Sequence, residues 1–220
     1  MNIHLNKEST KFLYLLLLAD FIFILLDCLH KMGLRQVSDP IFSIETDLGY
    51  AEVYQYIKEY WIVILISIVA IKRKQIVYFS WSLFFTYLLF DDSLRIHEKF
   101  GHYVADALEL QPMFQLRAQD MGELIVSLLS SLLLFSIIGA SYYFSDAVAK
   151  QVSKHLFILI MLLAFFGVFV DMLHAAITWN KVIWGLVEDG GEMIIMSIIV
   201  WYVFSLRDNP SNHANTNANV

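Results

Sequence analysis

Cysteine occurs once, at Cys28, so no intrachain disulfide is possible and redox state singles out no compartment. Proline occurs three times, too few for a proline-rich linker that would divide the chain. Charge is scarce: Asp, Glu, Lys and Arg make up 16% of the residues, where soluble proteins carry roughly 25%. The net charge is −6 and no basic patch stands out, which excludes the electrostatic footprint of a nucleic-acid binder.

What fills the chain instead is apolar. Of its 220 residues 58% are hydrophobic and 15% aromatic, with mean hydropathy +0.60. Soluble domains hold roughly 45–50% apolar residues. The composition therefore predicts an all-α, polytopic membrane helix bundle with the lipid bilayer as its main partner. The length suits six transmembrane helices of about 20 residues each. Lys7 and Lys11 ahead of Phe12–Leu26 resemble a signal peptide, but no small-x-small cleavage site follows and Asp20 interrupts the apolar core. An uncleaved first span is expected, within a single transmembrane domain over 1–207. The Asn-rich stretch 208–220 reads as a disordered tail.

Apolar runs place the helices near 11–33, 50–72, 76–98, 121–144, 155–177 and 182–206. The second is the weakest, since its unbroken apolar part runs only from Tyr60 to Ile71. Tyr50, Tyr54, Tyr56 and Tyr60 suit an interfacial extension. Lys72-Arg73-Lys74, Lys150 with Lys154, Arg207, and Lys7 with Lys11 all fall on one side of six spans. The positive-inside rule makes that side cytoplasmic, with both termini there. The expected location is a plasma membrane or bacterial inner membrane. Of the acids only Glu8, Asp146 and Asp208 fall inside and Asp20 mid-span; the others gather at the outer face.

These acids recur in a pattern. Each odd span ends in an Asp-centred cluster: Asp27 with His30; Asp91 and Asp92 with His97 and Glu98; and Asp171 with His174. Each even span opens near Asp-x-Gly, at Asp47, at Asp120 with Glu123, and at Asp189 with Glu192. The chain thus reads as three copies of one helical hairpin, as internal repeats build many transporters. Ionisable groups at membrane depth are costly and mark function by default.

Each group has a plainer reading beside the functional one. Asp120 with Glu123, and Asp189 with Glu192, fit an acidic capping box at a helix start. Glu188 and Gly190-Gly191 are not explained by capping. Asp27 can be neutralised by Lys31 one turn on. Asp91, Arg95 and Glu98 share a stripe as a salt-bridge ladder if the helix is regular. In that case His97 is rotated about 240° from Asp91 at 3.6 residues per turn. Asp171 has no basic residue within a turn, and His174 at i+3 is its local partner, a spacing that suits a shared metal. Glu123, Ser127, Ser130 and Ser131 form a polar stripe of the kind that packs helices. His4, His102, His155 and His213 are expected in loops or at interfaces. Asp20 either extends a polar path inward or meets a Ser or Arg partner.

Carboxylates and imidazoles without thiolates favour a divalent ion such as Zn²⁺, Mn²⁺ or Fe²⁺. The candidate metal-binding residues are Asp27, His30, Asp91, Asp92, His97, Glu98, Asp120, Asp171, His174, Glu188 and Asp189, with Glu123 or Glu192 as general base. The leading expectation is a metal-dependent membrane hydrolase holding its ion through Asp171, His174 and either His97 or His30, and acting on a lipid or small molecule. A cation or proton transporter and a non-catalytic sensor or assembly subunit are the alternatives. The layout is similar to that of the intramembrane hydrolases related to alkaline ceramidases and progestin receptors, a resemblance that implies a Ser/Asp/His zinc site on a helix bundle. The likeness is one of theme: those proteins have seven spans, and their Ser and paired-His motifs match no residues here one by one.

Overall fold

The computed structural model describes residues 7–113, 116–177 and 179–206. Among them no β-strand forms, and the chain is a bundle of helices. They are α1 (Lys7–Lys31), α2 (Tyr50–Arg73), α3 (Ile76–Leu94), α4 (Ile96–Ala107), α5 (Ala118–Tyr143), α6 (Ala147–Ala164), α7 (Asp171–Ala176) and α8 (Lys181–Leu206). A π-helical segment, Phe165–Val170, joins α6 to α7 into one rod. Arg207, His213 and the tail, with His4 at the other end, lie outside the described residues.

Five helices are long and apolar enough to cross a membrane: α1, α2, α5, the α6–α7 rod and α8. They fit an integral membrane protein. The helix α3, at 19 residues, is not among them, because almost any stretch of span length within it takes in both Asp91 and Asp92. Leu128, Leu129, Leu132 and Leu133 on α5, and Leu15, Leu18, Phe21, Ile22 and Leu25 on α1, point out of the bundle as an apolar coat.

The packing departs from three equal hairpins. The helices α1 and α2, expected as the first hairpin, approach closely at few backbone positions and meet through side chains such as Asp20 with Lys58 and Phe23 with Tyr54; α1 lies mainly against α8, while α2 packs on α3 and α8. The last helix, with half of its apolar stretch buried, is the post around which α1, α2, α6 and α7 assemble. At one end of the bundle the core is apolar: Trp81, Tyr78, Phe85, Ile62, Ile66, Leu156 and Ile199 are almost fully buried together. Its buried serines mostly turn back on backbone carbonyls, as Ser80 donates to Ile76 O and Ser205 to Tyr202 O. The Trp81 indole donates to Ser153 Oγ at 2.7 Å. His155 Nδ1 meets the Tyr202 hydroxyl at 2.9 Å, a partly buried pair rather than the interfacial histidine expected.

Local chemistry sets the boundaries. Gly33, at φ +78°, closes α1: its N–H bonds to His30 O, and Leu34 N–H reaches back to Leu29 O at 3.2 Å. Asp146 caps α6 by accepting from Ala149 N–H at 2.7 Å, so that helix starts eight residues before the expected 155. Gly49 precedes α2, where a β-carbon would lie 2.7 Å from Thr46 O. The α4–α5 crossing is glycine on glycine, since a β-carbon on Gly122 would collide with Gly101 O.

Of the three Asp-x-Gly motifs, only Asp47-Leu48-Gly49 immediately precedes its helix. Asp120 lies in the first turn of α5, which begins at Ala118. There it accepts from Arg117 N–H at 2.8 Å and from the guanidinium Nη2 at 2.7 Å, so Arg117 and not Asp120 is the cap residue. Asp189 and Glu192 lie more than two turns inside α8, which corrects the capping-box reading of that pair: no free amide remains there to cap.

Candidate metal and carboxylate site

The third helix does not stay regular. Arg95 adopts a left-handed conformation, φ 55° and ψ 49°, and α4 leaves at a new angle. The break decides the geometry. It turns His97 back onto Asp91, whose Oδ1 accepts the His97 N–H at 2.8 Å while Oδ2 lies 3.2 Å from ring Nδ1. Asp91, Asp92 and His97 each offer a ligand atom within 4.8 Å of the others. They form a group able to hold a metal ion. The hydrogen bond to Asp91 raises the His97 pKa above its ordinary value, against a lowering from burial.

The same break removes the Asp91–Arg95 half of the expected ladder and keeps its Arg95–Glu98 half, so that Asp91 is left to His97. Arg95 bonds to Glu98, through Nε at 2.9 Å, and to Asp47 on the α1–α2 loop at 2.9 Å. Glu98 is thereby engaged by a guanidinium at the rim.

A residue that sequence reasoning passed over sits beneath Asp92. Glu59, on α2, is 1% exposed, and its carboxyl abuts that of Asp92. The adjacent Lys58 is fully buried too and faces elsewhere. Its Nζ donates to Asp20 Oδ1 at 3.0 Å, Met193 O at 2.8 Å and Ser197 Oγ at 3.3 Å, and lies over the Tyr54 ring. Ser197 in turn donates to Asp20 Oδ2 at 2.6 Å. Asp20 therefore meets a Ser, as one reading expected, and a Lys in place of an Arg. The available signal was an adjacent Lys-Glu pair inside a run that has to be buried.

A second carboxyl group gathers where α7 meets α8. His174 Nδ1 lies 2.6 Å from Glu188 Oε2, and the Asp171 carboxyl also abuts Glu188. Asp171 and His174 thus meet through Glu188. Glu192, one turn further along α8, feels the charges of Asp189, Glu188 and Asp171 on one side and of Asp92 on the other. Its carboxylate presses on the π-helical segment, where a β-carbon on Gly167 would collide with Oε1. Single-turn π segments inside α-helices occur often at functional sites.

Most of the other expected ligands make structural bonds. Asp27 is wholly buried: Oδ1 accepts from Ser43 Oγ at 2.8 Å and Ile44 N–H at 3.2 Å, and Oδ2 pairs with Lys31 at 2.8 Å. His30 Nδ1 is 2.7 Å from Val37 O. Both residues tie down the loop after α1. Lys31 continues to Glu45 at 2.6 Å, and Glu45 packs on Gly185 of α8. Asp189 lies in the field of Glu188, Glu45 and Lys31. Asp120 is held by Arg117 as described. Glu123 accepts from Gln119 Nε2 at 2.8 Å and packs on Gly101, within the fields of His97 and Glu98.

An all-helical bundle with five membrane-length apolar helices and an Asp/His group able to bind a metal is the class that fold and site define. The chain belongs to the family described as a domain of unknown function, DUF8692, whose model matches residues 12–207. No curated protein and no solved structure matches it.

Proposed function

We propose that this protein is an integral membrane metalloprotein that uses a divalent cation at the outer end of its bundle for hydrolysis of a membrane-borne substrate. In this reading α3 is a sixth span, α4 lies along the outer interface, and both termini are cytoplasmic. The Lys72-Arg73-Lys74 turn supports that orientation. The observation that carries the proposal is the α3–α4 break, which puts Asp91, Asp92 and His97 within 4.8 Å. Asp91 grips His97 at ring and backbone, the arrangement by which a carboxylate orients a metal-ligating imidazole. Asp92 and His97 are then ligands, and the donor set suits Zn²⁺, Mn²⁺ or Fe²⁺. A catalytic Zn²⁺ brings the pKa of bound water to about 7. In this reading Glu192, which feels the charge of Asp92, would be the general base that takes the water's proton.

The test is metal analysis of the detergent-purified chain, followed by hydrolysis assays on amide- and ester-linked lipids with and without chelator. Stoichiometric metal that disappears in the Asp92→Asn, His97→Ala double variant, with chelator-sensitive hydrolysis, is the expected result. Metal-free protein sinks the reading.

Cation transport is the second reading, and one feature favours it. The Asp20–Lys58–Ser197 network carries charge from the acidic end toward the middle of the bundle. Cation flux into proteoliposomes that is abolished by Asp20→Asn, with no hydrolysis, selects this reading over the first.

A further inference from the structure

We infer that Glu59 is a ligand of the same divalent-cation site, completing a four-residue set with Asp91, Asp92 and His97. The inference rests on the metal reading above and adds a helix to it. Glu59 comes from α2, Asp91 and Asp92 from α3, and His97 from α4, so the cation ties three helices together.

Glu59 is 1% exposed, and its Oε2 is buried with no hydrogen-bond partner. The neighbouring cation cannot serve it, because the Lys58 ammonium is committed to Asp20, Met193 O and Ser197. Among the described residues, the group its carboxyl meets is another carboxyl, that of Asp92. Two carboxyl groups in contact inside a bundle require a cation between them, either a proton or a metal ion. The neighbours favour a metal. His97, oriented by Asp91, lies on the same corner, so that Glu59, Asp92 and His97 make a mixed oxygen–nitrogen donor set of the kind borderline-to-hard divalent ions take. Metal–ligand distances of about 2.0–2.2 Å bring donors to roughly 3–4 Å from one another. The 4.8 Å envelope of Asp91, Asp92 and His97 needs only a small inward rotation of side chains, and Glu59, which lies outside that envelope, reaches it through its contact with Asp92.

The experiment uses the full-length protein in detergent, stripped with chelator and titrated with Mn²⁺ or Zn²⁺. Bound metal is measured by elemental analysis and unfolding by a thermal melt. The wild type is expected to bind stoichiometrically and to melt higher when loaded. Glu59→Gln should weaken affinity at least about 100-fold, beyond what loss of an outer-shell partner does. In the stripped state its midpoint should match or exceed that of the wild type, since an unpaired buried carboxylate has gone. Equal binding by wild type and Glu59→Gln overturns this inference and leaves the metal reading standing. No binding by the wild type overturns the metal reading itself. An infrared band of a protonated carboxyl that persists at neutral pH in the metal-titrated wild type, and is lost in Glu59→Gln, assigns the cation beside Glu59 as a proton and overturns this inference. If Glu59→Gln does not fold, Glu59→Asp keeps the charge and shortens the reach: weakened binding supports the inference, and undiminished binding overturns it.

Discussion

The ends of α1 and α3 are built from the same residue types and use them in opposite ways. Each carries buried aspartate with a histidine a short distance on. At the end of α1 both residues find structural partners: Asp27 is surrounded by Ser43, Ile44 and Lys31, and His30 Nδ1 meets Val37 O. The helix runs regularly to Lys31, and the loop folds back to meet it. At the end of α3 the helix breaks at Arg95, the arginine that might have neutralised the acids turns to the rim, and Asp92 is left facing Glu59. The same composition thus makes a staple in one place and a vacant-handed acidic corner in the other. What separates them is where the nearest cation goes.

That contrast can be broken or sharpened by substitution. The largest effect is expected at the buried pair below both regions. Lys58→Met leaves Asp20 buried without its cation and should cost about 3–5 kcal/mol, with most of it recovered in the Asp20→Leu, Lys58→Met double variant. Thermal melts in detergent decide this. Next, Asp27→Ala removes the acceptor of two hydrogen bonds and should cost about 2–3 kcal/mol while leaving metal binding intact. Asp92→Asn should do the reverse, abolishing metal binding with stripped-state stability held or raised. If the two variants behave alike, the distinction between staple and site is wrong. Gly167→Ala drives a methyl into the Glu192 carboxylate and should cost about 1–3 kcal/mol, read from the melt midpoint.

The smallest effect is in pH. His97 has a folded pKa raised above its ordinary 6.5, chiefly by its hydrogen bond to Asp91. The stabilisation it contributes is full below the unfolded value and is lost as pH rises through the folded one. In chelator, the wild-type midpoint should therefore fall slightly from pH 6 to pH 8, and His97→Gln should flatten that slope. With metal present the trend should oppose this, because a ligating imidazole must be neutral.

Much of the fold was legible from the chain. All-helical membrane character follows from apolar runs, and five of the six expected spans are long and apolar enough. Helix ends were less legible. Asp146 starts α6 early, and Asp189 does not cap α8, whose start lies within a residue of the expected 182, because a cap is recognised by which amides are free and not by which acid stands near. Within the site, the Asp91, Asp92 and His97 residue types were visible, but a regular helix would have put His97 on another face. Only the left-handed Arg95 brings it back, and arginine carries no signal for that conformation. Lys58 and Glu59 escaped notice because an adjacent pair of opposite charges reads as neutral surface until packing shows that the two side chains face different partners.

The chain alone determined that helices would form, that they would be oily, and that their acids would crowd one end, since hydropathy and charge position are local properties. Tertiary structure decided which acids are satisfied and which are left in contact with one another. That outcome depends on distances between residues remote in sequence, such as Glu59 and Asp92 or His174 and Glu188, and on a single backbone break, neither of which composition or periodicity encodes.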